Sequence, residues 1–137
     1  MHERAGSSNI LHLHGELTKM RSTQAENSII DIGYEAMPYG ALCEKGHLLR
    51  PHIVWFGEAV PMIEQAVEIL LDADVLIIVG TSLEVYPAAG LMHYAPSNCP
   101  IYLIDPNRHE NLNNARIELI KDTAANALPK LIKNWLL

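Results

Sequence analysis

The sequence has no segment long enough to cross a bilayer. Its longest apolar run, residues 75–79 (Val-Leu-Ile-Ile-Val), falls far short of the roughly 20 residues a spanning helix needs. It has only two cysteines, Cys43 and Cys99, far apart in the chain. That excludes a disulfide-rich secreted scaffold and makes a reducing, cytoplasmic setting the expectation. Positive charge is scarce: 10 Lys and Arg stand against 16 Asp and Glu, a formal net charge of −6. No general basic field exists to hold a nucleic acid or an anionic membrane, and neither is expected as a partner. The opening residues carry no apolar core, so a signal peptide is not expected there. Internal repeats and low-complexity tracts are absent. So is the strand, glycine-rich turn and helix N-terminus with which dinucleotide folds usually begin.

What is present is ordinary globular material: 137 residues, 49% hydrophobic and 19% charged, enough apolar content for one domain with a real core. In the second half, residues 53–56 (Ile-Val-Trp-Phe) read as a short strand stopping at Gly57. Beyond Pro61, the residues Ile63, Ala66, Val67, Leu70 and Leu71 follow helical spacing. Residues 75–79 are apolar on both faces, the pattern of a central parallel strand covered by helices. A short helix is expected after Pro87, strands at residues 101–104 and 116–120, and a last helix capped by Asp122 or Thr123. That helix carries Leu128, Leu131, Ile132, Trp135 and Leu136 on one face, and Pro129 must kink it or mark its true start. Residues 10–13 read as a further strand ending at His14-Gly15. Strand and helix alternate, which predicts a doubly wound, Rossmann-like α/β fold with a parallel sheet whose N-terminal βαβ unit is missing. Residues 1–15 and 51–137 are assigned to that domain, and the polar, mixed stretch 16–50 to a small inserted subdomain.

In open α/β sheets, ligands bind beyond the carboxyl ends of the strands. Those ends carry His14-Gly15, Gly57-Glu58, Gly80-Thr81-Ser82 and Asp105-Pro106-Asn107. Gly80 allows close approach of a ligand to the backbone. Thr81 and Ser82 offer hydroxyls and N–H groups suited to phosphate or ribose, and Asp105 can accept from ribose hydroxyls. Together they point to a nucleotide site; singly, each is an ordinary turn. Trp55 and Phe56 can be read simply as core, and for one of them that is the expectation. His12 alternates with His14 and is expected to face away from it as a solvated or satisfied residue. His2, His47, His52, His93 and His109 form no ligand spacing, and Cys99 is a small packing residue.

The segments LHLHGEL (residues 11–17), RPHIVWFGE (50–58), GTSLEVYPAAG (80–90) and DTAANALPKL (122–131) resemble the sirtuin (Sir2) family, in that order and at that family's spacing. The opening HERAGSS resembles the sequence just after the family's Gln-Asn-Ile-Asp motif, in bacterial CobB-like members. The resemblance implies NAD-dependent removal of acyl groups from lysine, with release of nicotinamide and O-acyl-ADP-ribose. It implies His14 as the base that deprotonates a ribose hydroxyl, a task suited to imidazole. Gly80, Thr81 and Ser82 would contact phosphate and ribose, with Asp105, Pro106 and Asn107 at the adenosine and Ala124 near the adenine. The family usually has Asn where Asp105 stands. Val54, Phe56, Gly57 and Glu58, with Leu83 and Val85, would hold an acyl-lysine peptide as an added strand; Trp55, Phe56 and Val85 would line or support the acyl-lysine channel.

By this match the family's Gly-Ala-Gly turn and cofactor loop fall before Met1. The chain is expected to be a C-terminal portion with little activity alone, and to expose a sheet edge open to self-association. Sirtuins also usually carry two Cys-x-x-Cys pairs in the insertion. Here Ser22 and Ala25 stand at the first pair and Leu42 and Lys45 at the second, with Cys43 one place off. Cys43 and His47 give at most two of the four ligands a structural zinc needs, so no zinc is expected. Apolar packing by Ile29, Ile30, Ile32, Tyr34 and Leu42 would hold the insertion, unless it is partly disordered. A non-catalytic module that binds peptide or ADP-ribose is the alternative reading, and a fragment that folds poorly alone is a third.

Overall fold

The computed structural model describes residues 2–25, 28–107 and 114–136; His109 and the Leu136 side chain, invoked above, lie outside them. The chain divides into two compact units, Met1–Met62 and Ile63–Leu137.

The first unit is built on a three-stranded antiparallel sheet in the order β2-β1-β3, from β1 (Gly15–Ser22), β2 (Ile29–Asp31) and β3 (Leu49–Ile53). Gly15 lies opposite Ile53 and Ser22 opposite Leu49, with a shift of register between Glu16 and Met20. Pro51 sits within β3, which a strand at the sheet edge tolerates because the missing N–H need not serve a ladder. A tight hairpin precedes β3: Cys43 N–H donates to His47 O at 2.8 Å, and Leu42 bridges Leu48.

Several expectations are corrected here. Residues 10–13 are not a strand. No ladder partner reaches them among the described residues, and local turns take their backbone instead, Leu13 N–H to Leu11 O and Gly15 N–H to His12 O. The expected strand 53–56 ends where it was meant to begin, at Ile53: Val54 N–H makes one further bond to His14 O in the same register, and the N–H of Trp55 then turns to the Glu58 carboxylate. Trp55 and Phe56 are not core, being 53% and 90% exposed. Of the expected apolar set only Ile32 is even half-buried: Ile29, Ile30, Tyr34 and Leu42 are exposed, and the buried residues among those described there are Ser22, Cys43 and Leu49. Strands β1 and β3 also straddle the boundaries at residues 15 and 50, so the polar stretch begins and ends inside one sheet.

The second unit follows the expected alternation. Helix α1 (Ile63–Leu71) leads to β4 (Leu76–Val79), a 3₁₀ helix (Ala88–Tyr94), β5 (Ile101–Ile104), β6 (Ile117–Ile120) and α2 (Ala124–Leu136). The sheet is wholly parallel, order β4-β5-β6, with Val79 beside Ile104 and Ile104 beside Ile120. The central strand is β5, not residues 75–79. Ile101, Leu103 and Ile104 are 0–1% exposed, whereas β4 pairs on one side only among the described residues and Val79 is 41% exposed. Cys99 packs with Ala95 and Ile101 in the core, as expected. Helix α2 packs on β5 through Trp135 and Tyr102, ring centroids 5.5 Å apart. It runs through Pro129 rather than starting there, and its first turn is organised by Asp122, whose Oδ1 accepts from Thr123 N–H and Asn126 Nδ2.

Candidate functional site

The sequence-derived candidates divide between the two units. In the first, His14 is exposed and its backbone is pinned on both sides. Its carbonyl accepts from Val54 N–H at 2.9 Å, and Gly15, at φ +82°, follows in β1. A Cβ at Gly15 would stand 2.0 Å from His52 O, so β1 and β3 meet here at a distance only glycine permits. This fixes where His14 leaves the sheet while leaving its imidazole in solvent.

The segment after β3 is organised by Glu58. Both its oxygens accept from Arg50, at 2.5 and 3.0 Å. Oε2 also accepts from Trp55 N–H at 3.0 Å and lies 3.6 Å from Arg21. Arg50 in turn donates to Ile53 O. The Arg50 guanidinium, then the Trp55 N–H, draw the Glu58 pKa down from its ordinary 4.5 to about 2. Val54 is half-buried and Gly57 takes φ +85°, so Glu58 and Gly57 shape a turn that leaves Phe56 in solvent. Neither arginine was singled out from the sequence. The signal was Arg50 at the head of the same motif that ends in Glu58.

His12 Nε2 donates to Glu3 Oε1 at 2.7 Å and lies 3.5 Å from Glu16, which also binds Lys19 at 2.6 Å. Ligand atoms of Glu3, His12 and Glu16 fall within 4.8 Å of one another. Their mutual pairs and Lys19 already account for the cluster. His12 is therefore satisfied, as expected, though by these carboxylates and not by strand alternation. With Arg21, His52 and Val54 it also lines a cavity of about 70 Å³.

In the second unit, parallel register brings three strand ends to one edge of the sheet. Gly80-Thr81-Ser82 follow β4, Asp105-Pro106-Asn107 follow β5, and Ala124 opens α2 just after β6. Gly80 has φ +67° and open space where a side chain would be; Thr81 and Ser82 are exposed. Leu83 has φ +57°, a costly conformation for a branched residue, and its N–H is held by Thr81 Oγ1 at 3.1 Å. Val85 is 48% exposed. Asp105 is 7% exposed; its Oδ1 accepts from Asn107 N–H at 2.7 Å, and its N–H donates to Ile120 O, tying two strand ends together.

Comparison with known proteins matches residues 1–87 to the Sir2 family model. An NAD-dependent protein deacylase of Aggregatibacter actinomycetemcomitans is 50% identical over 116 residues, covering 82% of this chain and 54% of that protein. One from Bacteroides thetaiotaomicron is 45% identical, covering 96% and 58%. Among solved structures, a Sir2 homolog in complex with NAD superposes with a TM-score of 0.83 at 36% identity, over 97% of this chain and 53% of that one. A variant Sir2 homologue in complex with ADP-ribose gives 0.82 at 36%, over 96% and 54%. The chain thus spans about half the length of the relatives it matches. With its family model covering well over half of the sequence and its parallel sheet superposing on theirs, this chain belongs to the Sir2 family.

Proposed function

We propose that this chain carries the catalytic base, the adenosine side of the nucleotide site and part of the peptide-binding surface of an NAD-dependent protein-lysine deacylase. The observation that carries the proposal is the row of three parallel strand ends. Open Gly80, the exposed Thr81 and Ser82, the buried Asp105 and the first turn of α2 share one edge there, where α/β sheets bind ligands. These groups suit a phosphate and ribose. The relatives named as NAD-dependent protein deacylases and the Sir2 homolog solved with NAD support the same reading.

Bound NAD would supply the ribose that accepts the acyl group. His14 takes a proton from a ribose hydroxyl; its exposed ring on a pinned backbone fits a base that must meet a substrate. Thr81 and Ser82 hold phosphate and ribose, Asp105, Pro106 and Asn107 the adenosine, and Ala124 leaves room at the adenine. Val54, Phe56, Gly57 and Glu58, with Leu83 and Val85, present the acyl-lysine peptide with backbone partners. In functional terms residues 1–15 and 51–137 form the nucleotide and catalytic part, and 16–50 the small module. A cytoplasmic setting belongs to the same proposal. Among the described residues no helix is long and apolar enough to cross a membrane.

Because the chain spans about half of its relatives, a binding module without turnover is the second reading. Calorimetry with ADP-ribose and with an acetyl-lysine peptide separates the two. Binding of ADP-ribose that is lost in Thr81→Ala/Ser82→Ala supports the nucleotide site. Peptide binding with no nucleotide binding overturns it in favour of the module. Turnover of the peptide with NAD by the 137-residue chain alone is expected to be very low. Size-exclusion chromatography reads self-association through the side of β4 that has no strand partner among the described residues.

A further inference from the structure

The family resemblance implies a metal clasp in the small module, held by two Cys-x-x-Cys pairs, and the residues that stand there do not fit one. At the first turn, Ser22 and Ala25 replace the donors; a serine hydroxyl is not a zinc ligand of the usual set, and alanine offers nothing. At the second turn the structure departs from the family match, which put Leu42 and Lys45 at the donor positions. Cys43, not Leu42, points inward: Leu42 is 58% exposed, while Cys43 is 8% exposed and its Sγ lies 3.8 Å from Ser22 Oγ. Gly46, which closes that turn at φ +76°, has no side chain to contribute. His47 Nδ1 is buried without a hydrogen-bond partner, which would make it a second ligand at most. Among the described residues no three His, Cys, Asp or Glu side chains converge on Cys43.

The same contacts show what occupies the place of the metal. Ser22 is 2% exposed, the most buried polar residue described. Its Oγ accepts from Gln24 N–H and Ala25 N–H, both at 3.2 Å, which folds the first turn around the hydroxyl. A hydroxyl has two lone pairs and one proton. The two amides donate to the hydroxyl oxygen, and the Cys43 thiol, whose Sγ–H also points at Ser22 Oγ from 3.8 Å, is the third group packed on it. One backbone bond joins the two turns at this point, Thr23 N–H to Leu48 O at 2.9 Å, and two more close the second turn on itself, Cys43 N–H to His47 O and Gly46 N–H to Cys43 O, both at 2.8 Å.

We propose that the buried Ser22–Cys43 contact replaces the family's metal as the clasp between the two turns, so that the small module folds and stays folded without any metal ion. The proposal stands on the fold of the module and not on the deacylase reading; either can fail alone.

The test uses the 137-residue chain expressed in zinc-supplemented medium, with metal content read by mass spectrometry and thermal unfolding read with and without EDTA. Expected are zinc far below one equivalent and a melting temperature that EDTA does not move. Ser22→Ala is expected to speed exchange of the Gln24 and Ala25 amides by about tenfold, the loss of roughly one hydrogen bond's protection. Cys43→Ala should lower the melting temperature by less than Ser22→Ala does. One equivalent of zinc whose removal by EDTA lowers the melting temperature would overturn the proposal. So would unchanged Gln24 and Ala25 exchange in Ser22→Ala. If Ser22→Ala fails to fold, the metal and EDTA measurements on the unaltered chain decide by themselves.

Discussion

The two units are held together by different physics. In Ile63–Leu137 the buried residues described are apolar apart from Asp105, and three on one strand, Ile101, Leu103 and Ile104, are almost wholly removed from water. In Met1–Met62 the buried set among the described residues is small and partly polar: Ser22, Cys43 and Leu49. There, specific contacts do the fixing: the Ser22 hydroxyl, the Arg50–Glu58 fork and the close passage of Gly15 under His52. The difference teaches where each unit is vulnerable. The parallel sheet should fail when atoms are removed from its core; the antiparallel module should fail when an atom is added or a charge is neutralised.

The largest effect is expected from Leu103→Ala, at 0% exposure. Truncating such a leucine costs about 2–5 kcal/mol, read as the shift in a urea unfolding curve. A cost under about 1 kcal/mol would mean that the sheet does not depend on β5 and would dissolve the contrast. Next is Gly15→Ala, which puts a methyl 2.0 Å from His52 O at φ +82°. The clash with backbone should destabilise by roughly 2–4 kcal/mol, detected by thermal unfolding and by faster exchange of the Val54 amide. Gly33→Ala, also at positive φ but with open space around it, serves as the milder control.

The smallest effect is a pH dependence centred on Glu58. Its folded pKa, about 2, lies below its ordinary 4.5, so the stability it contributes is complete above pH 4.5 and is lost as the pH falls through about 2. NMR titration should show the Trp55 amide shifting in that window, and Glu58→Gln should abolish the shift. A Trp55 amide that titrates unchanged in the variant would place the cause elsewhere. Because the pair is partly solvent-exposed, 0.5 M salt should weaken the effect.

Much of the second unit was legible because burial there writes a periodic pattern. Residues 63, 66, 67, 70 and 71 mark α1, and the runs at 76–79, 101–104 and 117–120 are strands with turn residues after them. What went astray was position within the sheet. An all-apolar run looks central, yet β4 carries one partner among the described residues while β5 carries two. In the first unit the pattern misled in the opposite direction. Leu11 and Leu13 alternate with histidines like a strand but have no ladder partner among the described residues, and Trp55 and Phe56 look like core but follow the end of β3. Glu58 was picked out as a substrate contact, yet the partner that fixes it, Arg50, was not; an ion pair eight residues apart leaves no periodic trace.

The sequence by itself determined the family, the alternation of strand and helix in the second unit, and the chemical character of each strand end, because local composition and spacing carry that information. Only the tertiary structure decided which strand is central, which cysteine neighbour faces inward and how closely Gly15 passes His52. Those depend on register between segments distant in the chain, where a shift of one residue reverses every side chain. Ser22 shows the limit most clearly: one serine among polar neighbours in the sequence, it becomes the buried centre of its module only when residue 43 is brought against it.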